Sequence, residues 1–253
     1  MAVSLQRAGM WKRISAFLFD AILLGILAVL FAFLLSSVLG YDRYVDTLNR
    51  CYEAYGEQYG VDFQTSLSQY DSMTEEEKQQ LEEAYRAVGQ DEEAAYAYQM
   101  TIRLTILMVS LGILLACLIW EVLIPVLLKD GQTLGKKIFS LGVMRSDGVR
   151  LGGVQLFVRS ILGKYTVEIM IPVLVAMMLY FGSTGLPGTL MILGLALVNG
   201  CLFLFTYAHT PIHDLLAGTV VVDLPSQRIF PTREDMIAFK EQLAAEKAAE
   251  KTF

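Results

Sequence analysis

The sequence predicts an all-α membrane protein: a four-span transmembrane helix bundle with an external helical hairpin and a small cytoplasmic β-hairpin. Three observations carry this. Hydrophobic residues make up 55% of the 253, too many for an ordinary soluble domain. Four apolar stretches, 14–39, 102–128, 156–181 and 186–207, each reach the roughly 20 residues that cross a hydrocarbon core. Charge is also segregated, because residues 41–100 hold fourteen acidic and four basic residues while the formal total is only −6. Such asymmetry speaks of topology, not of nucleic-acid binding.

In chain order the expected parts are a cytoplasmic N-terminus with the first span (1–40), the external acidic hairpin (41–100), the second span (101–128), a basic cytoplasmic link with the β-hairpin (129–155), the third and fourth spans (156–208), and a cytoplasmic tail with an HDLLAG segment, a short strand and a final helix (209–253). The first span follows Arg7, Lys12 and Arg13, yet its apolar run is about twice the length of a cleavable signal core, so it reads as a retained anchor. The link carries Lys129, Lys136, Lys137, Arg145 and Arg150 against Asp130 and Asp147. By the positive-inside rule it faces the cytoplasm with both termini, which predicts a multi-pass protein of the cell membrane. The uncharged turn FGSTGLPGT joins the last two spans outside.

Within the acidic segment Val45, Leu48, Tyr52, Tyr55 and Tyr59 recur at helical spacing, and Thr74 with Glu77 forms a capping box ahead of Leu81, Tyr85 and Val88. Nine of the twelve tyrosines lie here, which suits the apolar side of a miniature core or an interfacial belt. Cys51 is an unpaired thiol in this segment that could cross-link two copies, whereas Cys117 and Cys201 in apolar runs behave as small hydrophobes. In the link, period-two alternation on either side of Ser146-Asp147-Gly148 predicts the hairpin, and the β-branched run Val220-Val221-Val222 should pair with one of its strands. Thr232 caps a final helix with Met236, Phe239 and Leu243 on one face, read as a solvated or surface-lying tail.

Charged residues inside the spans carry the functional question. From the helical rise, Asp20 lies about 10 Å beyond Arg13, Glu121 about 12 Å before Lys129 and Glu168 about 13 Å beyond Arg159. Lys164 stands one turn from Glu168 at the i,i+4 spacing that lets the two meet. Two readings stay open. The carboxylates either pair with Arg13, Lys164 and other cations merely to fix helix register, or three acids among few bases leave spare negative charge in a hydrated cavity suited to H⁺ or Na⁺ exchange. His213 beside Asp214 can shuttle protons, but Pro211 interrupts the spacing to His209 and no metal site is expected. No nucleophile elbow, Walker loop, dinucleotide fingerprint or paired-acid context is present, so neither an enzyme nor a cofactor is expected.

These residues resemble the RDD family of bacterial membrane proteins. Arg13 and Asp20 in AGMWKRISAFLFD look like its first motif, and Asp214, after His213 in PIHDLLAGTVVV, like its last. GQTLGKKIFSLGVMRSDGVRLGGVQLFVRSILG, with Gly135, Lys136, Gly148 and Arg159, is similar to the family's link after the second span. The acidic segment is longer than the loop expected there, and the last helix looks like an addition. The resemblance implies a polytopic protein of largely unassigned function, with cation or proton antiport proposed for some members; it does not by itself establish transport.

Three functions follow. The first is exchange of a monovalent cation or proton, with Asp20 as the carrying acid, Arg13 its gate, and Glu121, Glu168 and Lys164 assisting. A homo-oligomer in the lipid bilayer is expected because four spans enclose little volume. The second is a scaffold whose external hairpin contacts an envelope partner. The third is an anionic-lipid binder using Lys136, Lys137, Arg145 and Arg159.

Overall fold

In the computed structural model each apolar stretch becomes one long helix. Residues 8–128, 131–182, 185–206 and 209–250 are described, the side chains of Leu67 and of 246–250 excepted. Arg7, Lys129, Asp130, Ser183 and Thr184 of the uncharged turn, and Tyr207 lie outside the described residues. The elements run α1 (Met10–Leu39), α2 (Tyr41–Tyr59), α3 (Leu67–Ser72), α4 (Glu75–Gln90), α5 (Glu92–Leu128), α6 (Leu134–Ile138), β1 (Leu141–Arg145), α7 (Gly153–Tyr180), α8 (Gly185–Phe205), α9 (Ile212–Ala217), β2 (Thr219–Asp223) and α10 (Arg233–Glu250). Of these, α1, α5, α7 and α8 are long and apolar enough to cross a membrane. Their outward residues, such as Phe17, Ile22, Phe33, Leu190 and Leu197, are largely exposed in the isolated chain, as expected of faces solvated by lipid rather than by water.

Two compact units emerge, one formed by the chain up to Val29 and from Gly112 onward, the other by Leu30–Leu111. Within the second, α2 packs on α4. Leu81, Ala84 and Val88 are buried on the α4 face. Phe63 links the two helices through ring contacts, with centroids 5.1 Å from Tyr52 and 4.9 Å from Tyr85. Tyr52 and Tyr85 thus form an only partly buried aromatic cluster with Phe63, and Tyr55 donates to Asp91 at 3.1 Å. Both halves of the predicted capping box form: Glu77 N donates to Thr74 Oγ1 at 3.3 Å and Thr74 N to Glu77 Oε2 at 2.7 Å. Those bonds to Thr74 hold the Glu77 carboxyl below its ordinary value. A second box, Ser66 with Gln69, opens α3.

In the first unit β1 and β2 pair antiparallel with Val143 opposite Val221. The sheet is apolar on both faces: Leu141, Val143 and Val221 pack with Ala16 of α1, and Met144, Val220 and Val222 pack with Ile229. Burial on both faces explains the unbroken β-branched run Val220–Val222. The expected pairing of that run with the 139–151 segment is present, but the hairpin itself is rudimentary. Gly148 takes the positive φ of the turn, yet the return arm makes one bridge, Met144 to Arg150, before Val149 and Arg150 turn to Phe230. The backbone of Phe230 outcompetes the hairpin's own ladder. The last helix is also less free than a solvated tail: Met236 is buried, and Phe239 meets Phe230 at 5.3 Å with the Arg228 guanidinium over both rings. Thr232 caps it, accepting from Asp235 N at 3.1 Å.

Two membrane helices leave regular α geometry. α5 is π-helical over Leu118–Leu123 and α7 over Val158–Met170. A π turn widens the helix and re-aims its side chains, and such turns cluster at functional sites. α9 lies against this part of α7 so closely that a Cβ at Gly163 would come 2.6 Å from His213 Cα.

Candidate functional site

Every predicted intramembrane acid lies in the first unit and is engaged; Asp20 and Glu121 are buried and Glu168 partly so. Asp20 of α1 is 3% exposed. Its Oδ1 accepts from the Trp120 indole at 3.0 Å and from the Gly135 amide at 2.9 Å, its Oδ2 accepts from the Thr133 hydroxyl, and the Lys136 ammonium stands 4.0 Å away. The opening amides of α6 have no acceptor within their own helix, so a carboxylate from α1 supplies one. Arg13 is directed elsewhere: its guanidinium is 3.7 Å from Asp214 and lies over the Phe203 ring. Arg13 and Asp20 of α1 thus bind different partners, because residues seven apart on the helix face α9 and α6 respectively.

Glu121 sits in the π turn of α5, wholly buried, paired with Lys164 and 3.8 Å from Arg159. The i,i+4 expectation paired Lys164 with Glu168; the π-helical winding of α7 turns Lys164 toward α5 instead. Pro125 has no amide hydrogen for the Glu121 carbonyl four residues back, and the Ser160 hydroxyl of α7 donates to it at 2.8 Å. Ser160→Ala is accordingly expected to lower the thermal midpoint of the detergent-solubilised protein, at a cost of about 0.5–1.5 kcal/mol for the lost buried hydrogen bond. An unchanged midpoint would show that the helix satisfies that carbonyl alone.

Glu168 is held by His213, whose amide reaches Oε1 at 3.0 Å and whose Nδ1 lies 2.7 Å from Oε2. Asp214, fully buried on α9, accepts from Arg159 Nε at 2.8 Å and from the Thr219 hydroxyl at 2.6 Å. Burial alone would push its carboxyl up, but Arg159 and His213 beside it hold it well below the usual aspartate range. Burial likewise pushes the Lys136 ammonium down, to about 8, against the opposing pull of Glu121.

Arg159 joins two of these groups, lying between Asp214 and Glu121 and 3.2 Å from His213 Nε2. The result is an interlocked set in which Asp20, Glu121, Glu168 and Asp214 face Arg13, Lys136, Arg159 and Lys164 around one imidazole. Among the described residues the expected surplus of acid is therefore absent: four carboxylates meet four cations. Periodicity could not reveal Trp120, Thr133 and Ser160 as partners, since each comes from another element far along the chain.

A cavity of about 350 Å³ adjoins the set, lined by Arg13, Asp20, Lys136, Arg159, Lys164, Glu168, His213 and Asp214 and, from α1 and α8, by Phe17, Ala196 and Phe203. Glu121 stands behind this wall. Asn199 also lines it, while its Oδ1 holds the first amide of α9 at 3.1 Å. Two buried carboxylate oxygens have no hydrogen-bond donor, Glu121 Oε2 and Asp214 Oδ2. Of the proposed lipid-binding cations, Lys136 and Arg159 line the cavity; Lys137 is exposed and Arg145 pairs with Asp147 at 2.8 Å. Among the described residues no group of three metal-ligating side chains forms.

A family model described as the RDD family matches residues 7–218. No curated protein and no solved structure matches the chain.

Proposed function

We propose, from the premise that this chain belongs to the RDD family of multi-pass membrane proteins, that it exchanges protons, coupled to a monovalent cation, through Glu168, His213 and Asp214. The observation that carries this reading is the placement of the His213 ring between two carboxylates at the cavity wall, 2.7 Å from Glu168 on Nδ1 and 3.6 Å from the donor-less Oδ2 of Asp214 on Nε2. Arg159 donates toward Nε2, which assigns the neutral ring its hydrogen on Nδ1, pointing at Glu168. A proton arriving at Nε2 from the cavity makes imidazolium, and Glu168 then takes the proton on Nδ1, leaving a neutral ring. Asp20, with three neutral donors and Lys136, anchors α6 in this scheme, and Arg159 sets the ring's orientation.

The basic link and the chain ends face the cytoplasm in this reading, so the acidic segment 41–100 lies outside, and copies associate to enclose a pathway. Glu168→Gln keeps one of the two acceptor oxygens that meet His213 and cannot carry the proton; cation-dependent H⁺ flux in proteoliposomes, normalised to folded protein, is expected to fall at least about 100-fold. Flux equal to that of the unaltered protein would overturn the proposal.

A scaffold role draws support from the partly exposed aromatic cluster of Tyr52, Phe63 and Tyr85 in the unit 30–111. Deleting residues 42–99 separates the two readings, since flux persists only if exchange resides in the other unit.

A further inference from the structure

The cavity has two kinds of wall. One is charged and comes chiefly from α6, α7 and α9; the other is apolar, with Ile14 and Phe17 from α1 and Ala196 and Phe203 from α8. Phe17 is 57% exposed and Ala196 is exposed as well, although both line the cavity. A residue that does both marks a mouth, and this mouth lies between two spans whose outer faces are apolar. An occupant entering there comes from the bilayer.

The charged wall states what the occupant must carry. Four cations line the cavity against three acids, because Glu121 is withdrawn behind the wall. The buried Lys136 ammonium has three hydrogens to give; among the described residues it donates only to Thr133, at 3.1 Å, with Asp20 4.0 Å off. Glu168 is the converse, a carboxylate still 11% exposed on the cavity wall whose two oxygens each accept one bond from His213 and keep further lone pairs for a donor. A buried ammonium short of acceptors is costly, so this wall is completed by a molecule presenting an anionic oxygen to Lys136, and one that adds a hydrogen-bond donor also engages Glu168. About 350 Å³ is within the range of small-molecule sites.

We infer that the cavity binds one membrane phospholipid, whose phosphate meets Lys136, whose head-group ammonium or hydroxyl donates to Glu168, and whose acyl chains leave between α1 and α8. The inference does not depend on proton exchange and holds equally for a protein that moves nothing.

Native mass spectrometry of the delipidated full chain in detergent tests it with four probes: phosphatidylethanolamine, phosphatidylcholine, diacylglycerol and the water-soluble glycerophosphoethanolamine. Phosphatidylethanolamine is expected to bind one per chain and at least about tenfold more tightly than phosphatidylcholine, which has the phosphate but no donor, since a site built around a hydrogen bond rejects the analogue lacking it. Diacylglycerol, without phosphate, and the soluble head group, without chains, should not be retained. Ala196→Trp, at the exposed mouth and outside the charged set, should abolish retention without lowering the melting temperature. Equal retention of phosphatidylcholine and phosphatidylethanolamine, or retention unaffected by Ala196→Trp, would reduce the bound lipid to nonspecific shell and overturn the inference. Retention of the soluble head group alone would overturn the lipid source, and a lipid-free dimer disrupted by Ala196→Trp would assign the mouth to a second copy.

Discussion

Replacing Asp214 with asparagine is expected to destabilise the protein by about 3 kcal/mol, because it strands buried cations that have few other anions within reach. Arg159 would lose its 2.8 Å charge-assisted bond, and Arg13 would lose the carboxylate 3.7 Å away. The estimate sits at the lower end for a broken buried pair because Arg159 keeps Glu121 at 3.8 Å. Thermal unfolding in detergent reads the loss. Combining Asp214→Asn with Arg159→Gln should recover part of it, since the charge stranded on Arg159 is removed while Arg13 still lacks its carboxylate and Glu121 keeps Lys164; a double variant no more stable than Asp214→Asn would show that the charges do not interact. The same carboxyl predicts a pH dependence. Its folded value lies below the ordinary one, so its contribution is complete above the usual aspartate pKa of about 3.9 and disappears as pH falls through the lower folded value. In Asp214→Asn that acid-dependent loss should be smaller.

Gly135→Val is expected to be as damaging through shape alone. A Cβ at this position would lie 2.5 Å from the Ala16 carbonyl oxygen and 2.8 Å from Asp20 Cγ, so α6 must withdraw from α1. Withdrawal also breaks the Gly135 amide bond to Asp20 and strains the one from Thr133, adding lost buried hydrogen bonds to an overpacking cost that is itself about 1–3 kcal/mol. Gly25→Ala on the same α1 helix is the control, because a Cβ there meets nothing within 4 Å. Melting temperatures should separate the two variants clearly; equal values would show that α6 yields without consequence.

The span positions were legible because lipid imposes a length and a composition that hydropathy reads directly. Capping boxes were legible for a similar reason: Thr74 and Glu77 satisfy each other three residues apart, and no distant residue is needed. Even the partner strand Val220–Val222 was visible, since burial on both faces leaves a β-branched run. The ion pairs were not. Reading Lys164 with Glu168 assumed 3.6 residues per turn, and the π-helical stretch Val158–Met170 invalidates that periodicity. Reading Arg13 with Asp20 assumed that a shared helix face means a shared partner, whereas each residue meets another element. His213 was recognised beside Asp214 in sequence, but its closer carboxylate is Glu168, 45 residues earlier, and only the approach of α9 at Gly163 brings the two together.

The sheet also has a consequence for how the chain is made. β1 ends at Arg145 and its partner begins at Thr219, so at ordinary translation speeds on the order of 4–15 s pass before the second strand emerges. During that interval both remaining apolar helices must be inserted while an unpaired edge waits beside the membrane, the kind of edge that recruits wrong partners. Closure of the ribbon thus records that the last two crossings are complete, and a ribosome stalled before Thr219 leaves a product with an adhesive border.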